Sequence, residues 1–560
     1  MRASNPSTSL RTIDPQVKMK YIFVSGGVIS GIGKGIATAS IGLLLKSAGF
    51  KVSPLKMDPY LNVDAGTMNP IEHGEVFVLD DGIETDQDLG HYERFLNESL
   101  TRSNIATQGS IYLSVIQKER NLEYDGAFVD ITHITEEILN RINQAGKARN
   151  ADIVLIEIGG TAGEYQNVLF LEANRILKLK KPDDVIHVHI TYLPIPASIG
   201  EMKSKPAQMS VRDLNAVGIA PDIILARSER SIDEFRKKKL ATSSGLELED
   251  IISAPDVDSI YKVPLGFENQ NLAERLLQKL KLKPKFKDLR QWREFVEKID
   301  SSKGQVKIAI VGKYFSTGDF TLADSYVSVI EAIKHASWTQ GIRAEIKWID
   351  SEKIENDISV LDGFQGIIVP GGFGSRGIEG KIQAIKYARE NKIPYFGLCY
   401  GMQLAVVEYA RNVLNLPGAH TTEIDPDTKF PVIHIMPDQQ KKMLNREYGA
   451  TMRLGAWDCL LKKDTLTYNL YKQFSILRPQ SSVISERHRH RFEFNNEYLE
   501  HFMKKGLIIS GTTPDGKLVE IIELKDHPFF IGTQFHPELK SRPLNPHPLF
   551  VGFIQAVSRV

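Results

Sequence analysis

The sequence predicts two α/β domains in tandem, each built on a parallel sheet with helices on both faces. Three observations carry that reading. Short, nearly continuous apolar runs alternate with longer helical stretches, the pattern of strands buried on both sides. A glycine-rich turn, SGGVISGIGKG, follows directly on the first of these runs, as at the start of a βα unit. A polar, lysine-rich stretch without a strong strand, KPKFKDLRQWREFVEKIDSSKGQ, then separates one series of runs from the next.

At 560 residues the chain is too long for a single core. Its 42% hydrophobic and 25% charged residues are the proportions of a soluble globular protein. With 70 basic against 69 acidic residues the net charge is +1, so the basic excess of a nucleic-acid binder is missing. Any anionic ligand must then be held by a local cluster. The two cysteines, Cys399 and Cys459, exclude a disulfide framework and point to a reducing, cytoplasmic compartment. No apolar run reaches the length of a bilayer span, so no membrane partner is expected. Residues 1–18 are rich in Ser, Thr, Pro and Asn and have no apolar core. They are expected to form a disordered tail rather than a secretory signal, with Met19 close to the functional start of the fold.

Taken in order, the first strand is Tyr21–Val24, and a helix runs from Ile36 to Ala48, closed by Gly49. Further buried strands are expected at Ile153–Ile156, Val185–Ile190 and Ile223–Leu225. The first domain is placed at 19–282 and a helix-containing linker at 283–304. The second domain, 305–560, opens with the strand Val306–Val311. It continues through Gly366–Val369 and Ile393–Phe396 and ends near Phe529–Phe535.

Cys399 lies in Gly397-Leu398-Cys399-Tyr400-Gly401, straight after an apolar strand and before a helical run from Met402 to Tyr409. Strand, sharp turn and helix with glycines around a nucleophile describe an elbow, and the helix N-terminus favours a thiolate there. The plainer alternative is a buried structural cysteine. Two other segments favour the elbow. In Phe535-His536-Pro537-Glu538 the histidine and glutamate are two apart, which on extended backbone points both to one side. Glu538 could then orient the imidazole that takes the cysteine proton. Upstream, Pro370-Gly371-Gly372-Phe373-Gly374 ends another strand and could offer backbone amides to an oxyanion.

Together GLCYGMQ, PGGFG and QFHPE resemble a class I glutamine amidotransferase domain over about residues 305–558. The resemblance implies a flavodoxin-like fold and a Cys399–His536–Glu538 triad that hydrolyses L-glutamine, with Gly371, Gly372 and Phe373 around the oxyanion. It further implies that Tyr400, Gln403, Glu423 and Arg491, the last within ERHRHRFE, help to bind glutamine. The family usually has Leu where Tyr400 stands.

In the first domain, the glycines from Gly26 to Gly35 can turn backbone amides toward a polyphosphate, with Lys34 reaching the outer phosphates. The spacing is not the strict GxxxxGK[ST] pattern, because Gly35 replaces the metal-binding hydroxyl residue. Magnesium must therefore find carboxylates elsewhere, with Glu157 and Asp88 as candidates. Such a turn alone is weak, since many βα loops hold glycine without binding nucleotide.

Longer strings are more specific. KMDPYLNVDAGTMNPIEHGEVFVLDDGIETDQDLGHYERF, IEIGGTAGE, KSKPAQMSVRDL and PDVDSIYKVP resemble the synthetase domain of the CTP synthase family, from about Tyr21 to Pro264. The resemblance implies a P-loop-like, dethiobiotin-synthetase-like domain in which ATP with Mg2+ phosphorylates the 4-oxo group of UTP and ammonia displaces the phosphate. It assigns the ATP loop to Ser30–Ile36, including Gly31, Ile32, Gly33, Lys34, Gly35 and Ile36. Catalytic lysines are Lys34 and Lys56, and metal ligands Asp88 and Glu157, with Asp88 also at the ATP site. UTP and CTP contacts fall on Ser30, Glu164, Gln166, Lys203, Lys205, Gln208 and Lys239. His73 and Val76 match positions flanking the family's ammonia passage. Activation by GTP, with Arg376 as a participant, a homotetramer and filament formation are further family expectations.

The chain departs from the family around the pyrimidine and ribose. The family's GGTVGDIES reads Gly159-Gly160-Thr161-Ala162-Gly163-Glu164-Tyr165-Gln166 here, so that its second acid is Gln166. KTKPTQ has become KSKPAQ, and LGATVQVIPHIT has become the shorter DGAFVDITHIT, with new acids at Asp125 and Asp130. Two readings follow: a CTP synthase with weakened CTP feedback, or a paralogue that aminates a modified uridine or another nucleotide. Two further rivals are weaker. A different amidoligase should lack DPYLNVD and GHYERF, and a non-enzymatic regulator should have lost the cysteine triad or Lys34. If the neutral amide at 166 weakens feedback by giving up a ribose hydrogen bond, Gln166→Glu should strengthen CTP inhibition. Equal inhibition constants for the two proteins would reject that explanation.

Overall fold

The first apolar run forms strand β1, Lys20–Gly26, in which every residue from Tyr21 onward is buried. The computed structural model describes residues 19–69, 73–313, 326–436, 451–474 and 482–560, together with 316–317, 320–321 and 439. The tail expected over residues 1–18 lies outside them. Five further parallel strands accompany β1: β2 (Val52–Asp58), β3 (Ile153–Ile158), β4 (Val185–Tyr192), β5 (Ile223–Ser228) and β6 (Ile251–Pro255). Their order is β2-β3-β1-β4-β5-β6. From β1 the chain passes to β2, returns to insert β3 between them, and then adds β4 to β6 on the other side of β1, so the direction of winding reverses at β1. A reversal of this kind leaves a crevice at the carboxyl ends of the strands, where ligands of open α/β sheets bind.

The helix after β1, α1, runs Lys34–Ser47 and so starts two residues earlier than the apolar pattern suggested. Gly33, at φ 91°, supplies a left-handed entry that lets Lys34 and Gly35 begin the first turn. Helix α2, Lys205–Ala216, follows β4 and begins with Pro206 in its first turn, where a missing N–H costs nothing.

By packing, the chain divides into two units: one comprises the chain up to Tyr60 with Ile111–Asp288, the other Leu61–Ser110 with Leu289–Val560. Residues 61–110 thus pack with the second unit, although they lie within the 19–282 stretch. In the segment read as a linker, helix α3 (Arg290–Ser301) buries Trp292, Phe295, Val296 and Ile299, a stripe at helical spacing. Most of the lysines there, Lys283, Lys285 and Lys287, precede the helix and are exposed.

The second unit is built on a sheet of strands β7 (Gly304–Gly312), β8 (Ile342–Asp350), β9 (Gly366–Val369), β10 (Tyr395–Leu398), β11 (Arg453–Leu461), β12 (Val483–His490), β13 (Leu507–Thr512), β14 (Val519–Leu524) and β15 (Phe530–Thr533). Their order is β8-β7-β9-β10-β15-β14-β13-β11-β12, parallel from β8 to β15 and antiparallel beyond. Helices α4 (Ile378–Glu390) and α5 (Tyr400–Asn412) help cover the parallel part, packing Ile382, Ile385, Met402 and Val406 into one core.

Segment 61–110 is fastened to this sheet by buried charge. Arg487 of β12, 0% exposed, donates to both oxygens of Glu93 at 2.9 Å and to Asp80 at 2.6 Å. A bidentate guanidinium–carboxylate pair has fixed geometry as well as charge. Removing one partner of a buried pair leaves the other uncompensated. Arg487→Met should therefore cost the second unit about 3–5 kcal/mol, read from the denaturant midpoint of its unfolding transition. A loss near zero would mean that the pair only offsets its own desolvation.

Candidate active sites

Cys399 follows β10 directly and has φ 49° and ψ −98°, a conformation costly for any residue with a side chain. Its neighbours hold it there. Its amide donates to the Thr533 carbonyl at 2.7 Å, and its own carbonyl accepts from Gln403 at 3.1 Å as α5 begins. Gly401 lets the elbow close, since a Cβ at this position would stand 2.1 Å from the Val369 carbonyl oxygen. The sulfur-bearing side chain is 6% exposed and opens on a cavity of about 110 Å³.

The same cavity is lined by His536, Glu538 and Gly371 to Phe373. His536 Nδ1 lies 2.7 Å from Glu538 Oε1. A Cβ on Gly371 would come within 2.8 Å of His536 Cε1 and 3.8 Å of Cys399 Cβ, so only glycine backbone fits between them. The pairing of His536 with Glu538 does not arise as the spacing suggested. Pro537, Glu538 and Lys540 belong to a single helical turn with His536 as its N-cap, not to extended backbone. Proline favours the first position of such a turn, and the turn brings the carboxylate round to the imidazole. Although burial disfavours its charge, the Glu538 carboxylate and the Cys399 sulfur hold His536 up at about 10. Near neutral pH it is an imidazolium, ready to give a proton to a leaving group.

Other predicted residues stand behind this wall. Tyr400 has its hydroxyl 3.4 Å from the Gly374 carbonyl, and Gln403 donates to the Phe492 carbonyl at 3.0 Å. Glu423 accepts from the Gly374 amide at 3.1 Å, and Arg491 donates to Gln439 at 2.7 Å and Thr451 at 2.9 Å. Among the described residues these four are not part of the cavity lining. Glu75 and Arg489, which the sequence did not single out, are. Arg489 lies 5.3 Å over the Phe373 ring and donates to Glu84 at 2.8 Å. Period two along β12 was the available signal: Arg487 and Arg489 share one face of the strand, and Arg491 follows just past its end. Glu75 accepts from the Ser328 amide at 3.0 Å and also bonds its hydroxyl. Burial lifts its carboxyl to about 7, against the pull of Ser328 and Arg94. Val76 lines the cavity beside it, whereas His73, its companion in the sequence reading, is exposed.

In the first unit the glycine loop leaves the carboxyl end of β1, with Val28, Gly31 and Gly33 all at positive φ. Ser30 and Gly31 are exposed, Ile32, Lys34 and Gly35 are buried, and Gly33 and Ile36 are half-buried. Lys34 donates to the Gly160 carbonyl at 2.6 Å. Lys56 and Glu157 are level on neighbouring strands β2 and β3 and pair at 2.9 Å, with Asp58 3.6 Å from the same ammonium. Glu164 accepts from the Thr161 amide at 3.0 Å, while Gln166 is exposed. Lys203 pairs with Glu201 at 2.6 Å, Gln208 donates to Ser204 at 3.2 Å, and Lys205 and Lys239 point to solvent. Asp88 belongs to the second unit, in the first turn of the helix Gln87–Leu96. The sequence reading missed a buried polar chain beneath the loop. Ser25 bonds His187 at 2.7 Å and His189 at 2.9 Å, and His189 bonds Ser210 of α2. Burial and the nearby Lys34 push His189 down to about 3, so this chain is neutral.

Magnesium is a hard cation that takes one or two carboxylates and fills its shell with phosphate and water. Glu157 and Asp58, facing one ammonium, suit that donor set. Among the described residues no group of three or more His, Cys, Asp or Glu is arranged to hold a metal by itself. Nor is any described helix long and apolar enough to cross a membrane.

Residues 20–282 match the family described as CTP synthase N-terminus, and residues 321–556 the family described as Glutamine amidotransferase class-I. A CTP synthase of Caldanaerobacter subterraneus subsp. tengcongensis is 51% identical over 96% of this chain and 98% of its own. One from Halalkalibacterium halodurans is 51% identical over 96% and 99%, and one from Prochlorococcus marinus 50% over 96% and 98%.

The raised His536 value carries a sign. Stability contributed by its charge is full below about 6.5, the unfolded value, and is lost as pH rises through about 10. Glu538→Gln should lower the His536 titration midpoint by NMR and flatten that loss of stability. A midpoint still near 10 in the variant would mean that Glu538 is not what holds the proton.

Proposed function

The chain belongs to the CTP synthase family and converts UTP to CTP with nitrogen from glutamine, and on that premise we propose how its residues divide the work. Cys399 Sγ attacks the amide carbon of L-glutamine, and the amides around Gly371 and Gly372 receive the oxyanion. As the tetrahedral adduct collapses the C–N bond breaks, and His536 gives its proton to the departing nitrogen. Ammonia leaves and a thioester remains on Cys399. Water then attacks the thioester, His536 takes its proton, and glutamate is released. The observation that carries this reading is the His536–Glu538 pair at 2.7 Å, facing the same cavity as Cys399.

In the first unit the glycine loop and Lys34 hold the ATP phosphates, and Lys56 steadies charge as phosphate moves to O4 of UTP. Ammonia adds at C4 and phosphate leaves. Lys203, Lys205, Gln208 and Lys239 serve the UTP triphosphate, and Ser30, Glu164 and Gln166 complete the nucleotide contacts. Glu157, with Asp88 as the second expected ligand, would hold Mg2+, which neutralises phosphate charge when bound. Tyr400, Gln403, Glu423 and Arg491 complete the glutamine side. We carry over from the family GTP as activator through Arg376, whose guanidinium pairs with Glu352 at 2.5 Å, a homotetramer that can form filaments, and a cytoplasmic location. A different uridine acceptor is not favoured, because relatives named CTP synthase match nearly the whole chain at about half identity.

The test is product formation with Mg-ATP, UTP, GTP and glutamine, identified by mass. Cys399→Ala should lose glutamine-dependent CTP by about 10⁴-fold or more while ammonia still yields CTP. CTP made from glutamine by that variant would overturn the assignment of the nucleophile.

A further inference from the structure

Against Cys399 lies a buried amide that the reaction steps do not use. Gln534 follows the last residue of β15, and at 0% exposure it is shut off from solvent. Its side-chain Nε2 donates to Cys399 Sγ at 3.7 Å. The preceding residue, Thr533, takes the cysteine amide on its carbonyl at 2.7 Å. Consecutive residues thus hold the backbone and the sulfur of the elbow.

What stands behind that amide fixes its orientation. A carbonyl oxygen can only accept, so the Phe492 carbonyl, 3.0 Å from the Gln403 side chain, must meet its Nε2 and not its Oε1. The same nitrogen donates to Gln534 Oε1 at 3.4 Å. With its oxygen engaged there, Gln534 turns its N–H to the sulfur. The Arg489 carbonyl, 4.0 Å from Sγ, is an acceptor and offers a negatively charged sulfur no hydrogen bond.

Neutral sulfur is a weak acceptor, whereas a hydrogen bond to an ionised partner is roughly twice as strong as a neutral one. The sulfur of the thioester is neutral. When water has added to its carbonyl and the adduct collapses, the C–S bond breaks, the electron pair goes to sulfur, and Cys399 leaves as a thiolate. The bond from Gln534 strengthens as that charge develops. An interaction stronger in the transition state than before it accelerates the step.

We propose that Gln534 is a catalytic residue for glutamine hydrolysis, the N–H donor that receives the departing Cys399 thiolate when the glutamyl thioester is hydrolysed. The inference rests on the reading of Cys399 as the glutamine nucleophile.

Gln534→Met keeps the length of the side chain and removes the donor. In the full-length protein, thioester hydrolysis should slow by roughly ten- to a hundredfold. With that step limiting, kcat and KM for glutamine should fall together, while kcat/KM, which reports the steps up to acylation, stays within about threefold of wild type. Rapid acid quenching and intact-mass measurement should show glutamyl-enzyme accumulating above the wild-type level. A side chain that only fills space would lower kcat/KM along with kcat and leave no extra adduct. That result, or a wild-type kcat with a wild-type level of adduct, would overturn the proposal. If the Met variant fails to fold, Gln534→Asn, whose amide stops one carbon short of the sulfur, gives the same reading. Glutamine hydrolysis that survives Cys399→Ala would instead sink the underlying assignment, so the two failures are separate.

Discussion

The second unit is organised around one strained residue. Cys399 cannot reach the end of β10 and also start α5 without the left-handed conformation it adopts, and its surroundings exist to enforce it. Gly401 brings α5 against the carbonyl of Val369. Thr533 of β15 takes the cysteine amide, so the central parallel strands hold the elbow from beneath. Packing energy spread over that core sustains the strain locally. The sulfur is thereby held at the mouth of a small cavity rather than in the interior, and the histidine that serves it arrives on the turn after β15.

The arginines of β12 hold their surroundings by charge. In each, a cation is taken out of water and kept there by carboxylates from distant parts of the chain. Arg487 meets Glu93 and Asp80, and Arg489 meets Glu84. Such pairs add little net stability, because desolvation offsets most of the attraction. What they supply is orientation: each cation tolerates one arrangement of its neighbours and penalises the rest.

Local features were legible in the sequence. The glycine loop after β1, the strand–elbow–helix at Cys399 and the alternating series of strands all depend on residues close in the chain, and their spacing reports them. Glu75 and Ser210 were not legible, because Glu75 gains its role from Ser328, 253 residues away, and Ser210 from burial against His189, whereas Arg489 was signalled only by the period of two along β12. His536 and Glu538 came together for a different reason than the one inferred, since Pro537 begins a turn where an extended strand was expected. The lysine-rich stretch before β7 read as a connector because the exposed Lys283, Lys285 and Lys287 dominate its composition, while Trp292 and Phe295 mark a helix that follows them and packs in the second unit.

The packing of Leu61–Ser110 with residues beyond Leu289 bears on how the protein is made. Glu93 and its partner Arg487 are 394 positions apart, so one emerges from the ribosome long before the other exists. At ordinary elongation rates, about 5–20 residues per second, the early segment must wait tens of seconds for its partner. Its carboxylates are well suited to that wait, being soluble while unpaired. Arg487, by contrast, is made last and can be buried at once. The second unit is therefore finished only when the end of the chain is available, and a fragment starting at residue 289 would carry its arginines into a core that lacks their counter-ions.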